Sequence, residues 1–488
     1  MPPAPWRSRV ASSLYPDFLT LFSTSTTTYT PQRSTAHLDG LRGFASFMVY
    51  VLHHELWAHS ALMKHYVLES AWGWDGNYYF ACLPIVRVAF TGGHIAVATF
   101  FVLSGYVLTV KPLGLVYKGD MVGLGEVLAS SVFRRWARLF VPIAVSTFGY
   151  VVVMEVFGLE GTSLHEVKET FGEQVWDWYI EFKHWSYIWD RNIIPWLPYN
   201  SHTWTIPFEL KGSLLVWMVA LVTARFTRKS RWWTYAMLIV YFMWICPEGW
   251  YCAYFIAGMW LAEIDLLAAT DALPAFFATF EPYKNVIFRG LFVVSMFLAG
   301  VPAANKDIEV FATSPGWVWL RHLKPAALDD PKWFYLFWGA IALVTSVSRI
   351  ASLKRFFETR FCQYLGRISF FLYLFHGPVL AWVGRRVYAA VGFVRKDLDD
   401  DPEKGILWWC NRLPISQWGP MGLEVNFVLC QIVLLPLTLY LAELGTKWID
   451  EPTVKYAQRL YKKLNSGQTI DLGAAGARDK EVSNPGPS

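Results

Sequence analysis

Ten long apolar segments dominate the chain and restrict the folds that it can adopt. A helix that crosses the hydrocarbon core of a bilayer needs about 20 largely apolar residues. The chain is 54% hydrophobic and only 17% charged, whereas a soluble domain carries about 25% charged residues. Its 26 Trp residues also suit a membrane protein, because Trp concentrates at lipid–water interfaces. The sequence therefore predicts an all-α integral membrane protein, a bundle of about ten transmembrane helices. The predicted spans are 40–58, 92–110, 135–157, 204–224, 232–247, 250–267, 286–302, 333–350, 364–391 and 421–444.

The charges between these spans predict how the chain is oriented. The segments "RFTRKSR" at 225–231 and "RIASLKRFFETR" at 349–360 are basic, whereas the segment 158–203 is acidic. Since basic loops stay in the cytosol, the pattern predicts that both termini are cytosolic. The net charge of +5 does not indicate a nucleic-acid partner, because the basic residues occur in short runs between apolar segments.

Composition also divides the chain into three parts. Residues 1–36 are rich in Ser, Thr and Pro and are predicted to form a disordered cytosolic arm. Residues 37–464 are predicted to form the membrane domain, and residues 465–488 a disordered cytosolic tail.

The first span carries ionisable residues on one face. Arg42 and His53 are eleven residues apart, so they differ in direction by only about 20° and lie roughly 16 Å apart along the helix. Asp39 lies one turn before Arg42 and could pair with it, whereas His54 points about 120° away. Ionisable groups within a membrane usually face a cavity or a partner. Alternatively, Arg42 extends to the cytosolic interface and His53 is a buried structural histidine.

Three other spans contain polar residues of interest. Arg135 and Arg138 share a face at the start of the third span, where they could bind a phosphate or simply anchor the topology. Glu209 lies near the start of the fourth span and could pair with Lys211 or another cation. His376 lies in the ninth span, before Gly377-Pro378, which should kink or break that helix; freed carbonyls could satisfy this histidine.

These residues suggest a reaction with two substrates. The arginines lie near the predicted cytosolic side, whereas His53, Glu209 and His376 lie deeper or towards the outer side. An anionic donor could bind the guanidinium groups from the cytosol. An imidazole, which titrates near neutral pH, could then remove a proton from the hydroxyl of an acceptor.

In these segments the chain resembles acyltransferase family 3, the multi-span membrane O-acyltransferases. The matching segments run in the family order, "LDGLRGFASFMVYVLHH", "TFFVLSGYVLT", "RRWAR", "TWTIPFE", "LGRISFFLYLFH" and "WIDEP". The Trp-rich segment "VWDWYIEFKHWSYIWD" looks closer to the fungal branch. The resemblance implies transfer of an acyl group, commonly acetyl, from cytosolic acyl-CoA to a hydroxyl of a glycan, lipid or metabolite, without a metal.

The resemblance also implies roles for individual residues. Many relatives have serines where this chain has Thr205 and Pro207, which affects the hydrogen bonds expected around Glu209. Ser104-Gly105 matches the family turn in the second span. The catalytic residues implied are His53, Glu209 and His376, with His53 as general base, and the donor-binding residues implied are Arg42, Arg135 and Arg138.

Two other functions fit some of these features. A proton-coupled transporter or exporter would use the same His and Glu residues as a proton relay, but the chain shows no internal repeat of the kind that marks many transporters. A catalytically silent scaffold would not require Arg42 and His53 to align. Cys82 and Cys410 fall in two predicted outer loops, where a disulfide is possible.

Overall fold

The protein is all helical throughout the part of the chain that its computed structural model describes. The described residues are 14–22, 35–59, 64–73, 76, 78–158, 167–189, 195–304, 311–312, 314–393 and 408–465. No strand occurs in these ranges, which agrees with the predicted fold class.

Fifteen helices of six or more residues are present in the described ranges, and we number them in chain order. They are α1 (Ala36–Ala58), α2 (Lys64–Glu69), α3 (Gly93–Lys118), α4 (Met121–Phe157), α5 (Phe171–Ser186), α6 (Thr205–Val222), α7 (Arg228–Val240), α8 (Trp250–Ala269), α9 (Lys284–Ala299), α10 (Lys332–Arg349), α11 (Ala351–Phe357), α12 (Arg360–Val379), α13 (Arg385–Ala390), α14 (Val425–Gly445) and α15 (Glu451–Asn465). Four-residue helices are Val88–Thr91 and Trp317–Leu320; 3-10 turns are Asp17–Phe22, Phe80–Cys82, Ser201–Trp204, Pro247–Gly249, Ala275–Tyr283 and Arg321–Leu323; π-helical turns are Tyr241–Ile245, Leu380–Gly384 and Thr446–Asp450.

The helices agree with the predicted spans in position but not fully in length and apolarity. A helix occupies each of the ten predicted segments. In the described ranges, five helical stretches are long and apolar enough to cross a membrane, and a sixth counts if α10 and α11, bent by 94°, form one broken span. The polar residues of α1 and α12 and the shortness of α7 and α9 account for the difference. Ten transmembrane helices are therefore not confirmed.

Glycines allow the helices around α1 to approach closely. A Cβ on Gly43 of α1 would overlap the backbone of Gly366 in α12, and a Cβ on Gly366 would lie 2.5 Å from the carbonyl oxygen of Asp39. Gly105 of α3 and Gly258 of α8 pack against each other's helices in the same way. Because these contacts leave no room for side chains, the register of α1 against α12 is fixed.

A buried ion pair ties the end of α1 to the start of α14. His59 follows α1 and donates from Nδ1 to the Glu55 carbonyl at 2.8 Å, while its Nε2 lies 3.2 Å from the carboxylate of Glu424. Burial lowers the pKa of His59, but the carboxylates of Glu424 and Glu55 outweigh it and raise that pKa to about 9. The far end of α1 is thus anchored as firmly as its start.

Part of the predicted N-terminal arm has a defined position. Asp17 begins a 3-10 turn, and its carboxylate lies 3.1 Å from Lys447 and also pairs with Arg367 of α12. Most of the remaining arm, and the predicted tail beyond Asn465, lie outside the described residues. The chain is an integral membrane protein, and the cytosolic location of its termini stays a prediction.

The possible bridge between Cys82 and Cys410 is not formed. Neither cysteine takes part in a disulfide. Cys82 is buried and its thiol donates a hydrogen bond to the carbonyl of Val67 at 3.1 Å. The outer loops are therefore not linked covalently through these residues.

Candidate active site

A cavity of about 210 Å³ opens where α1, α3, α4, α6 and α12 converge. Apolar side chains form part of its wall, and charged residues from four helices and a π-helical turn project into it. The polar lining residues that matter here are Asp39, Arg42, Ser104, Arg135, Arg138, Thr205, Glu209, Tyr373 and Asp450.

Arg42 faces this cavity and is held on both sides. Its Nη2 lies 3.2 Å from Asp39, the pairing that the helical spacing predicted, and donates to the carbonyl of Gly366 at 3.1 Å. Its Nε donates to the hydroxyl of Ser369 at 3.3 Å. Arg42 therefore lines a cavity within the bundle, and its side chain is 38% exposed.

Glu209 binds the guanidinium of Arg135. Nη2 of Arg135 lies 2.8 Å from Oε2 of Glu209, and both side chains are 12% exposed. Ser104 donates to the other carboxylate oxygen at 3.0 Å, and Nε of Arg135 donates to Ser213 at 2.9 Å. Glu209 thus pairs with Arg135 instead of Lys211, and it lies in the arginine-lined cavity rather than beside His53.

Arg138 differs from its neighbour Arg135. Although both were predicted to form one phosphate fork, Arg135 uses two of its nitrogens for Ser213 and Glu209. Within the described part of the chain, Arg138 makes no hydrogen bond or ion pair, and its charge acts on Asp450. A buried oxygen of Asp450, Oδ1, also lacks a hydrogen-bond partner among the described residues. Of the two arginines, Arg138 is therefore the one whose guanidinium group remains available to bind a ligand.

Three histidines form a cluster further along α1. Nε2 of His376 lies 3.1 Å from Nδ1 of His53, and the ring of His202 lies edge-on to both, with ring centroids 4.3 Å from His53 and 4.6 Å from His376. His53 faces the interior, as the helical spacing predicted. The structure thus brings together two of the three predicted catalytic residues, His53 and His376.

Two backbone carbonyls fix the tautomers of this pair. Nδ1 of His53 lies 2.9 Å from the carbonyl oxygen of Val49, and Nδ1 of His376 lies 3.3 Å from that of Leu372. Since a carbonyl oxygen only accepts, each Nδ1 carries the hydrogen. Nε2 of His376 then shares the single Nδ1 hydrogen of His53 with the Val49 carbonyl, and Nε2 of His53 keeps a lone pair for another proton.

His202 belongs to the site, although no role was predicted for it. It lies in the 3-10 turn before α6, which Asn200 anchors by donating to the carbonyl of Leu374 at 2.9 Å. Gly377 leaves space for it, because a Cβ there would lie 2.8 Å from Cε1 of His202. In the sequence, the feature that could have indicated this position was a further histidine, His202, seven residues before Glu209.

The His376-Gly377-Pro378 segment does not break the helix. α12 continues through Val379, and the π-helical turn Leu380–Gly384 follows Pro378 at once. Proline removes a backbone donor, so the hydrogen-bond ladder changes register here instead of ending. Of the predicted kink or break, the break does not occur, and the helix instead changes to a π-helical turn. Gly377 accommodates His202.

The three histidines are also the described residues best placed to hold a metal ion. Their candidate ligand atoms all lie within 4.8 Å of one another. However, the hydrogen bond between His376 and His53 uses two of the nitrogens that a metal would need. The expectation of a metal-independent site stays a prediction.

Tyr373 separates the histidine cluster from the cavity. Its side chain lines the cavity, and its ring centroid lies 5.8 Å from that of His376. Its hydroxyl donates to the carbonyl of His202 and contacts the hydroxyl of Thr205 at 2.8 Å. One side-chain layer therefore divides the arginine-lined space from the imidazoles.

His54 lies in a separate buried network on the other side of α1. Its Nδ1 lies 2.8 Å from the hydroxyl of Tyr388, which accepts from Gln431 at 2.8 Å. Gln431 in turn accepts from Tyr50 at 2.7 Å. His54 is thus a packed histidine that contacts neither the cavity nor His53.

Comparison with known proteins matches most of the chain. The family model described as "Acyltransferase domain" matches residues 36–441. The chain is 27% identical over 472 residues to O-acetyltransferase PaAT-1 of Phomopsis amygdali, covering 88% of this chain and 85% of that protein. It is 24% identical to acyltransferase R4 of Phoma sp., covering 90% and 98%, and 23% identical to acyltransferase clz18 of Cochliobolus lunatus, covering 88% and 96%. These relatives support the predicted fungal branch. No solved structure shows a significant match.

Proposed function

Because the chain belongs to this acyltransferase family, we propose that it moves an acetyl group from acetyl-CoA to a hydroxyl of a glycan, lipid or small metabolite. The chain is an acyltransferase embedded in the membrane, and the donor, the acceptor class and the residue roles are the proposal. One observation carries it: α1 places Arg42 in a guanidinium-lined cavity and His53 in an imidazole cluster, and Tyr373 both lines that cavity and packs beside His376.

The cavity suits the phosphate-bearing part of a donor. Pockets for drug-sized ligands measure about 300–1,000 Å³, so a cavity of about 210 Å³ has room for part of acetyl-CoA and not for the whole molecule. Arg138 and Arg42 would bind donor phosphates, because guanidinium groups bind phosphate oxygens bidentately. Arg135 would instead hold Glu209, so we assign Glu209 to positioning Arg135 rather than to proton transfer.

His53 is the base in this proposal. Its Nε2 would take the proton of the acceptor hydroxyl while the acceptor oxygen attacks the thioester carbonyl. The C–O bond forms, the C–S bond breaks, and the proton passes from His53 to the sulfur, which leaves as the CoA thiol. His376 would stabilise the transient imidazolium by accepting from its Nδ1. Positioned base catalysis of this kind contributes about 10²–10⁴-fold.

Release of CoA tests the proposal directly. Membranes that contain the protein should release CoA from acetyl-CoA faster when a metabolite extract from a deletion strain is added, and mass spectrometry should find one acetylated product. His53→Ala should abolish both signals. A transporter would release no CoA, and such a result in the wild type would overturn the proposal.

A further inference from the structure

A carboxylate–imidazole pair lies beside α1 and is not used in the reaction described above. Nε2 of His94, the second residue of α3, lies 2.7 Å from Oε1 of Glu69, the last residue of α2. The His94 side chain is 21% exposed and that of Glu69 13% exposed. The pair is therefore partly buried but accessible.

Arg87 fixes the position of Glu69. This buried arginine donates to the carbonyl of Leu68 at 3.0 Å and to that of Val301 at 2.8 Å, and it also donates to Gly300. The carbonyl of Glu69 itself accepts from the backbone of Ala303 at 2.9 Å. Two chain segments thus fix the backbone that carries Glu69, and His94 binds the carboxylate itself.

The pair lies next to the part of α1 that carries His53. Gly93 packs directly against Leu52, because a Cβ on Gly93 would lie 2.7 Å from the Cβ of Leu52. His94 and His53 are the next residues of the two helices. The charges of both His94 and Glu69 act on His53, so the pair is within electrostatic range of the proposed base.

Both members of the pair have an atom available for a ligand. In the described residues, Oε2 of Glu69 and Nδ1 of His94 have no hydrogen-bond partner, and neither atom is buried from solvent. Burial raises the pKa of Glu69, but the hydrogen bond from His94 and the charges of His94, Lys332 and Arg87 together hold it below its ordinary value. Glu69 is therefore an ionised acceptor, the chemistry that binds a hydroxyl group.

We propose that Glu69 and His94 bind one hydroxyl of the acceptor and thereby direct a neighbouring hydroxyl to His53. The acceptor class would then be a compound with at least two hydroxyls, such as a polyol or sugar-like group. This inference rests on the proposed acyl transfer to a hydroxyl. The two residues are binding residues for the acceptor and have no role in donor binding.

Kinetics of the purified full-length protein in detergent test the inference. The probe is acetyl-CoA with a dilution series of the deletion-strain extract, and the readout is CoA release. Loss of a hydrogen bond to a charged group typically weakens binding by about 10-fold to 100-fold. We expect Glu69→Gln and His94→Asn each to raise the half-saturating amount of extract by that factor. The half-saturating acetyl-CoA concentration should stay unchanged.

Matched control variants separate this effect from a general loss of structure. Glu155→Gln and His184→Gln remove the same groups at exposed positions and should leave all constants unchanged. Equal loss of rate at every extract concentration, or an unchanged half-saturating amount, would overturn the acceptor site while leaving the acyltransferase intact. If the wild type released no CoA even with extract, the proposed function and this inference would both fall.

Discussion

Replacing Gly377 by alanine should push His202 out of the imidazole cluster. A Cβ built on Gly377 would lie 2.8 Å from Cε1 and 3.2 Å from Cγ of His202, and closer still to Nδ1. Ordinary van der Waals contact begins at 3.4 Å, so the ring must move by at least about 0.6 Å, the difference between 3.4 and 2.8 Å. The ring cannot stay in its present contacts with His53 and His376.

The expected cost follows from this displacement. A misplacement of about 1 Å near reacting groups can cost about 100-fold in rate, and an extra methyl group in a packed interior costs about 1–3 kcal/mol of stability. We therefore expect Gly377→Ala to release CoA about 10-fold to 100-fold more slowly than wild type while remaining folded. Turnover of acetyl-CoA with extract and thermal unfolding in detergent would be measured together.

Two controls show whether His202 is the cause. Gly290 lies in α9 with no atom within 4 Å of a Cβ built on it, so Gly290→Ala should keep full turnover and lose no stability. The double variant Gly377→Ala/His202→Ala should match His202→Ala alone, because the clash then has no target. Turnover of Gly377→Ala within twofold of wild type would refute the reasoning, as would a double variant much slower than His202→Ala.

Three further predictions concern other positions. His53→Ala should abolish transfer in a folded protein. His54→Ala should keep most activity per folded molecule but unfold at a lower temperature, because it removes a buried partner of Tyr388. Equal loss of activity in both variants would contradict the roles assigned. Arg138→Lys should raise the KM for acetyl-CoA by about tenfold without changing acceptor saturation, because lysine lacks the planar fork; an unchanged donor KM would make this arginine a topology anchor. Folding raises the pKa of His59 to about 9. Charged His59 therefore stabilises the folded protein by about 3 kcal/mol at most, and this stabilisation is complete below pH 6.5 and lost as the pH rises through about 9. The thermal unfolding temperature of His59→Gln should not show this loss.

Helical periodicity predicted the contacts that lie along one helix. The spacing of Asp39, Arg42 and His53 placed them correctly on the inner face of α1, because side-chain direction in a helix depends only on sequence separation. It also separated His53 from His54, which lies in a different network.

Contacts between helices could not be predicted from helical periodicity. Glu209 pairs with Arg135 across α6 and α4, and His202 joins the cluster from a 3-10 turn, so both depend on tertiary packing. Gly377 was interpreted together with Pro378 as a site where the helix kinks or breaks, although its role depends on a side chain from another segment. Ten spans are not confirmed, because α7 and α9 are short and α1 and α12 carry polar residues; by length and apolarity, only five or six helical stretches of the described residues qualify.

The placement of Arg42 and His53 on a single rigid helix restricts how relatives of this protein can diverge. Inserting or deleting one residue between them would rotate His53 by about 100° and shift it by about 1.5 Å along the axis. The close contact of Gly43 with Gly366 prevents α1 from turning to compensate. Insertions in the connecting segments leave this spacing untouched, whereas a single insertion or deletion between Arg42 and His53 moves the proposed base out of the site. Variation in substrate choice therefore has to arise by substitution in this helix and by changes of length elsewhere.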